Sequence, residues 1–167
     1  MAIHGLIDTA LKKTKVHPAT LVVERAYGML EVHHEDKGEV RSAGEAILKH
    51  IGVQESDRLQ PKLVSNTIIR AIEPMHAMII DKIRFGSMIE PGQSLFIMEC
   101  EPAAYIALAA NEAEKAADMK LVDFTPFGAF GRLYLAGSEA MIDEAAKAAT
   151  AALEGITGVA PASFKDK

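Results

Sequence analysis

The sequence repeats itself, and that repeat limits the folds open to it more than any other feature. Displacing the first half by 103 positions lays Ile3 on Ile106, Ala10 on Ala113 and Lys12 on Lys115. The same displacement lays Ala26 on Ala129, Gly28 on Gly131 and Leu30 on Leu133, and no gap is needed from Ile3 to Val32. Matches between two alanine-rich helices arise readily by chance. Matches that continue through a glycine-containing loop into the next strand point to a duplicated unit. With 167 residues to share, each unit is a small domain.

The periodicity gives both units the same plan. Ile3, Leu6, Ile7, Ala10 and Leu11 form one apolar helical face, so a helix is predicted over 3–14. Residues 20–33 read as two strands around a turn near Glu24 to Gly28, and Lys37 to Ile51 reads as a helix stopped by Gly52. In the second half the pattern predicts a strand over 67–72, a helix opened by Pro74 and running to Ile83, and a buried strand from Ser94 to Cys100. An alanine-rich helix over 102–117, strands over 119–125 and 129–136, and a helix over 139–153 follow. The prediction is an α+β fold of two units, each an antiparallel sheet with Ala-rich helices against one face.

The repeat is incomplete. About 40 residues, Lys62 to Glu101, precede the first helix of the second unit and have no counterpart ahead of Ile3. The expected organisation is a first unit over 1–60, short at its N-terminal side, a complete second unit over 61–158, and a loose tail over 159–167. A first unit without a partner for the Ser94–Cys100 type of strand should carry an open sheet edge.

Charge and composition exclude much. The net charge is −5 with no basic stripe, which disfavours nucleic acid, and Lys12-Lys13-Thr14-Lys15 reads as a solvated helix face. The longest apolar run, Ala103 to Ala110, is far too short to span a bilayer, and the opening residues lack the design of a signal peptide. Cys100 is the single cysteine, so no internal disulfide forms, which suits the cytoplasm. Walker loops, nucleophile elbows and Cys-X-X-Cys pairs are missing. His33 and His34, followed by Glu35 and Asp36, read as a surface strand end and not a metal site, because adjacent strand residues face opposite ways. No catalytic residue, metal or cofactor is expected.

Several stretches carry a family resemblance: Val23-Glu24-Arg25-Ala26-Tyr27-Gly28, Asp57 to Lys62, Ile68 to Ile72, Ala109 to Ala117 and Gly128 to Leu133. Together they resemble the tandem, circularly permuted bacterial-microcompartment-domain shell proteins, the trimeric pseudohexamers of carboxysomes and their metabolosome relatives. The resemblance covers residues 3 to about 158 in order, with a shorter N-terminal segment than family members carry. It implies two ferredoxin-like domains, a homotrimeric disc that tiles with other shell proteins in the cytoplasm, and pairwise stacking of discs. It also implies an axial pore for anionic metabolites, with Glu24 and Arg25 as its gate and Phe127 and Gly128 at the matching loop positions of the second unit. Lys115, and Lys12 through the repeat, would lie at the disc edge. Two other classes compete: a ligand-sensing ferredoxin-like regulator, which would show a ligand cleft between subunits, and a small enzyme, which would need a convergent polar constellation.

Overall fold

The computed structural model describes residues 3–25 and 27–160. The chain divides into two units, residues up to Leu59 with Gly158–Ala160, and Gln60–Thr157.

In the second unit, strands β3 (Lys62–Ile69), β4 (Ser94–Glu101), β5 (Lys120–Thr125) and β6 (Gly131–Gly137) form one antiparallel sheet in the order β3-β4-β6-β5. Helices α4 (Ile106–Ala116) and α5 (Glu139–Glu154) cover one face. There Phe96, Met98, Cys100, Leu133 and Leu135 pack against Ile106, Ala109, Ala113, Ile142, Ala145 and Ala149. Alanines on the helix side let helix backbones approach the sheet closely, which is why this core needs few aromatic rings.

The other face is covered too, and this corrects the expectation of helices on one side only. Helix α3 (Pro74–Ile83) sets Ala77 and Ile80 against Leu95, Val122 and Ala136, with Ile72 and Ile89 beside them. The reason lies in β4, whose Leu95, Phe96 and Met98 are all fully buried. A strand apolar on both faces needs a layer on each. Local chemistry fixes the helix starts: Glu73 accepts from the N–H groups of Met75 and His76 ahead of Pro74, and Ser138 accepts from Met141 N–H. Gly131 is required by close approach, because a β-carbon there would lie 2.1 Å from the Ala103 carbonyl oxygen. The N–H groups of Gly86 and Ser87 donate to the carbonyls of Val122 and Leu121, so this loop covers the outer edge of β5.

The first unit holds α1 (Ile3–Lys13), β1 (His17–Glu24), β2 (Tyr27–His33) and α2 (Lys37–Ile51). Asp36 caps α2 by accepting from Gly38 N–H, and Gly52 ends it in the left-handed conformation at φ +74°. The duplication survives in the backbone. Under the displacement of 103, α1 and α4 have the same bounds, and β1 and β5 start at equivalent residues, His17 and Lys120. The hairpin registers agree, Leu21 opposite Leu30 and Phe124 opposite Leu133. The register shifts agree as well, Pro18/Thr20 in one hairpin and Leu121/Asp123 in the other.

Among the described residues the first unit has no counterpart of Lys62–Glu101. Its sheet is the two-stranded β1-β2 hairpin, and its buried cluster is Ala10, Val16 and Ala43 with Val32, Val40 and Ile47 alongside. Leu30 and Val32 are half-buried where their counterparts Leu133 and Leu135 are fully buried. Among the described residues no strand pairs with the outer edge of β1 or β2.

Some boundaries differ from those read in the sequence. The strand expected over 67–72 is Lys62–Ile69 and stops before Ala71, which takes a positive φ of 46° that no strand accommodates. The first hairpin strand begins at His17 and includes Pro18, which an edge strand tolerates. The helix expected over 102–117 opens with a short 3-10 turn, Ala103–Tyr105, before α4. Gly158–Ala160, expected at the edge of a loose tail, group with the first unit. Val159 N–H donates to the Arg58 carbonyl at 2.8 Å and Leu59 bridges Val159 in parallel. Ala26 and the rest of the expected tail, 161–167, lie outside the described residues.

Candidate functional site

The tips of the two matched hairpins hold the residues of interest. In the first unit the last cross-strand pair is Glu24 with Tyr27, and Arg25 opens the turn between them. A two-residue hairpin turn that matches the strand twist needs a positive φ at its first position, and Arg25 has φ +52°. For an L-residue with a long side chain that conformation is unfavourable, because the β-carbon crowds the backbone. Its repeat counterpart is Gly128 at φ +92°, so both tips place a left-handed residue at the same position. One tip meets the demand with glycine and the other with arginine. An arginine kept where glycine costs less is the kind of local strain that accompanies function.

The two tips differ in chemistry. Glu24 and Arg25 are exposed, and neither is in an ion pair with another described residue. Phe127 and Gly128 are half-buried, and the exposed Ala129 and Phe130 follow them. The structure thus brings Glu24 and Arg25 together on one charged tip, and Phe127 and Gly128 together on one apolar tip.

The two lysines singled out in the sequence each pair with an acid on their own helix. Lys12 Nζ is 2.6 Å from Asp8 Oδ2, and Lys115 Nζ is 2.7 Å from Glu112 Oε1. The Lys115 ammonium holds the Glu112 carboxyl below its ordinary range. At the far end of the first hairpin the His17 ring lies 5.9 Å from His33 and 6.1 Å from His34, centroid to centroid. His34 Nδ1 accepts from the Asp36 N–H. Among the described residues no group of three or more His, Cys, Asp or Glu side chains is placed to hold a metal ion, and no helix is long and apolar enough to cross a membrane. Cys100 is buried against the sheet, and burial pushes its thiol up to about 11.

Two features were missed in the sequence. The left-handed conformation of Arg25 had one signal, the glycine opposite it in the repeat. The second feature is the outer face of α3, where Met75, Met78, Ile79 and Ile83 are exposed beside the buried Ala77 and Ile80. Its signal was a short helix with large apolar residues, Met75, Met78, Ile79 and Ile83, at more positions than one buried face needs.

Comparison with known proteins places this architecture. Residues 1–57 match the family described as the CsoS1D N-terminal domain. The carboxysome shell protein CcmP of Synechococcus elongatus is 47% identical over 156 residues, which is 93% of this chain and 73% of the relative. The carboxysome shell protein CsoS1D of Hydrogenovibrio crunogenus is 51% identical over 158 residues, 94% of this chain and 77% of the relative. Among solved structures, the double ringed trimeric shell protein of the RMM microcompartment superposes with a TM-score of 0.93 at 43% identity, covering 96% of this chain and 79% of that one. The fused permuted hexameric shell protein of the same microcompartment gives 0.87 at 47% identity, covering 91% and 77%. A duplicated α+β unit with the chain order of these relatives, held at this level of identity along nearly its whole length, belongs to the tandem-domain family of carboxysome and microcompartment shell proteins.

Proposed function

We propose that the chain is a structural tile of a carboxysome or related microcompartment shell in the cytoplasm, and that three copies close into a ring with an axial pore. The relatives are shell proteins and not enzymes, which agrees with the expected structural role. In this reading 1–60 is a partial first microcompartment domain and 61–158 a complete second one. Alternating two similar but unequal units around an axis closes a ring with true threefold symmetry through a head-to-tail interface. Face-to-face stacking of two rings, as in the solved double ringed relative, extends the same reading, as does tiling with other shell proteins.

The observation that carries the pore assignment is the strained, exposed tip at Arg25, which makes no ion pair with another described residue. Three such tips around one axis give a ring of guanidinium groups that attracts anionic metabolites, and three Glu24 carboxylates between them can pair with those groups and close it. Phe127 and Gly128 of the second unit supply the alternating, uncharged positions. Such pairs at a wet axis are worth about 1 kcal/mol each, so open and closed states are both accessible and a ligand can shift the balance. Lys115 and Lys12 are the residues for edge contacts between tiles.

The test is native mass together with images of the particle, followed by its structure. A three-chain disc with Glu24 and Arg25 at a central hole supports the reading. Those two residues on the outer rim would end the pore assignment. Arg25→Ala should leave disc assembly intact, favour the open state and weaken anion passage.

A further inference from the structure

Helix α3 exposes large apolar side chains on its outer side, beside His76 and Lys82, and a contiguous exposed apolar area marks a contact surface. Its inner side sets Ala77 and Ile80 into the second unit's core. Its outer side exposes Met75 at 60%, Ile79 at 56% and Ile83 at 66%, and the loop after it leaves Phe85 93% exposed and Met88 57% exposed. The outward sides of α2 and α5 differ, carrying Arg41, Glu45 and Lys49 in one and Asp143, Glu144 and Lys147 in the other. Between α3 and its loop lies a groove of about 370 Å³ lined by Pro74, Met78, Lys82, Met88 and Pro91 among others. The exposed side chains amount to several hundred Å², more than a monomeric surface ordinarily leaves open and of the order of the roughly 800 Å² each partner gives to a stable interface.

We infer that this α3 face is the surface through which one copy of the chain binds another, an assignment that rests on the ring-forming reading above. Three observations favour a second copy over a foreign partner. The chain belongs to a family whose solved members at 43% and 47% identity are described as a trimeric and a hexameric shell protein. The chain carries net charge −5, so copies repel one another and need a contact face without like charge. Helix α3 itself carries one carboxylate, Asp81, which accepts from Ile89 N–H at 3.0 Å and stands 3.5 Å from Arg84 Nε with its side chain 15% exposed. The exposed charges are therefore Lys82 on the helix and Glu73 and Glu90 at the margins of the face. Finally, copies meeting through it bury apolar area that no other described residue covers. The methionines suit such a contact, since their unbranched side chains adapt to a facing surface.

The test uses the full chain with two glutamates introduced at exposed sites, Ile79→Glu and Phe85→Glu. Native mass should fall to half or less of the wild-type particle. An unchanged mass overturns this interface while leaving the ring reading intact, whereas a wild-type chain that is monomeric at micromolar concentration sinks the ring and this interface together. Should the variant not fold, the wild-type protein supplies the second measurement. Mild peroxide should oxidise Met75, Met78 and Met88 several-fold more slowly in the assembled particle than after dissociation by dilution. Equal rates in the two states would overturn the proposal.

Discussion

Replacing Arg25 with glycine separates backbone strain from charge at the tip of the first hairpin. Arg25 sits at φ +52°, and its repeat counterpart Gly128, in the longer loop between Thr125 and Arg132, takes φ +92° without a β-carbon. The left-handed conformation costs an L-residue about 1–2 kcal/mol. Glycine loses more freedom on folding, which returns about 0.5–1 kcal/mol of that gain. The net expectation is a stabilisation of about 0.5–1 kcal/mol, or a rise in melting temperature of about 1–4 °C for a chain of this size. Scanning calorimetry of wild type, Arg25→Gly and Arg25→Ala makes the comparison. Alanine removes the same charge but keeps the β-carbon, so it should not reproduce the gain. The reasoning fails if Arg25→Gly melts at or below wild type. It also fails if Arg25→Ala rises as much, since charge removal would then be the cause.

Urea unfolding should show Leu133→Ala losing about 2–5 kcal/mol, because the residue is fully buried between sheet and helices. The equivalent change in the first unit, Leu30→Ala, should lose about 1 kcal/mol, and equal losses would mean that Leu30 is covered after all. Gly131→Ala should cost at least about 1–3 kcal/mol, since its β-carbon would press on the Ala103 carbonyl, and a neutral result in the same assay would rule out the close approach. Cys100 should resist iodoacetamide at pH 8 in the folded protein, its thiol being held protonated by burial, with rapid labelling as the contrary outcome. The folded value of about 11 lies above the ordinary 9.0, so the associated stability is full below pH 9 and is lost as pH rises toward 11. A Cys100→Ala variant should lack that part of the alkaline decline.

The duplication was legible because the residues it preserves meet backbone demands. Gly131 is held by a carbonyl oxygen where its side chain would be, and Ala10 and Ala113 are both fully buried in their unit's apolar cluster. Residues under such constraint keep their identity, and a few of them, with the exposed pair Lys12 and Lys115, locate the whole plan. The end of β3 was not legible because Ala71 turns the chain at φ +46°, and alanine is a residue that gives no sign of a left-handed bend. The face of α3 was hidden for another reason. Met75, Met78, Ile79 and Ile83 mixed with Ala77 and Ile80 read as an ordinary core helix, and only the fold shows which of them the sheet leaves uncovered. For the candidate site, the sequence located the loop through the repeat but not the strain within it.

The hydrogen bond from Val159 to Arg58 sets an order of events during synthesis. The segment that lies beside Leu59 is made about 100 residues later, after the whole second unit has emerged. At ordinary elongation rates that is a delay of roughly 5–20 s before Arg58 and Leu59 can meet their partner. A contact of such long separation forms late and adds loop-closure entropy to the barrier, so the first unit to leave the ribosome is the last to be finished.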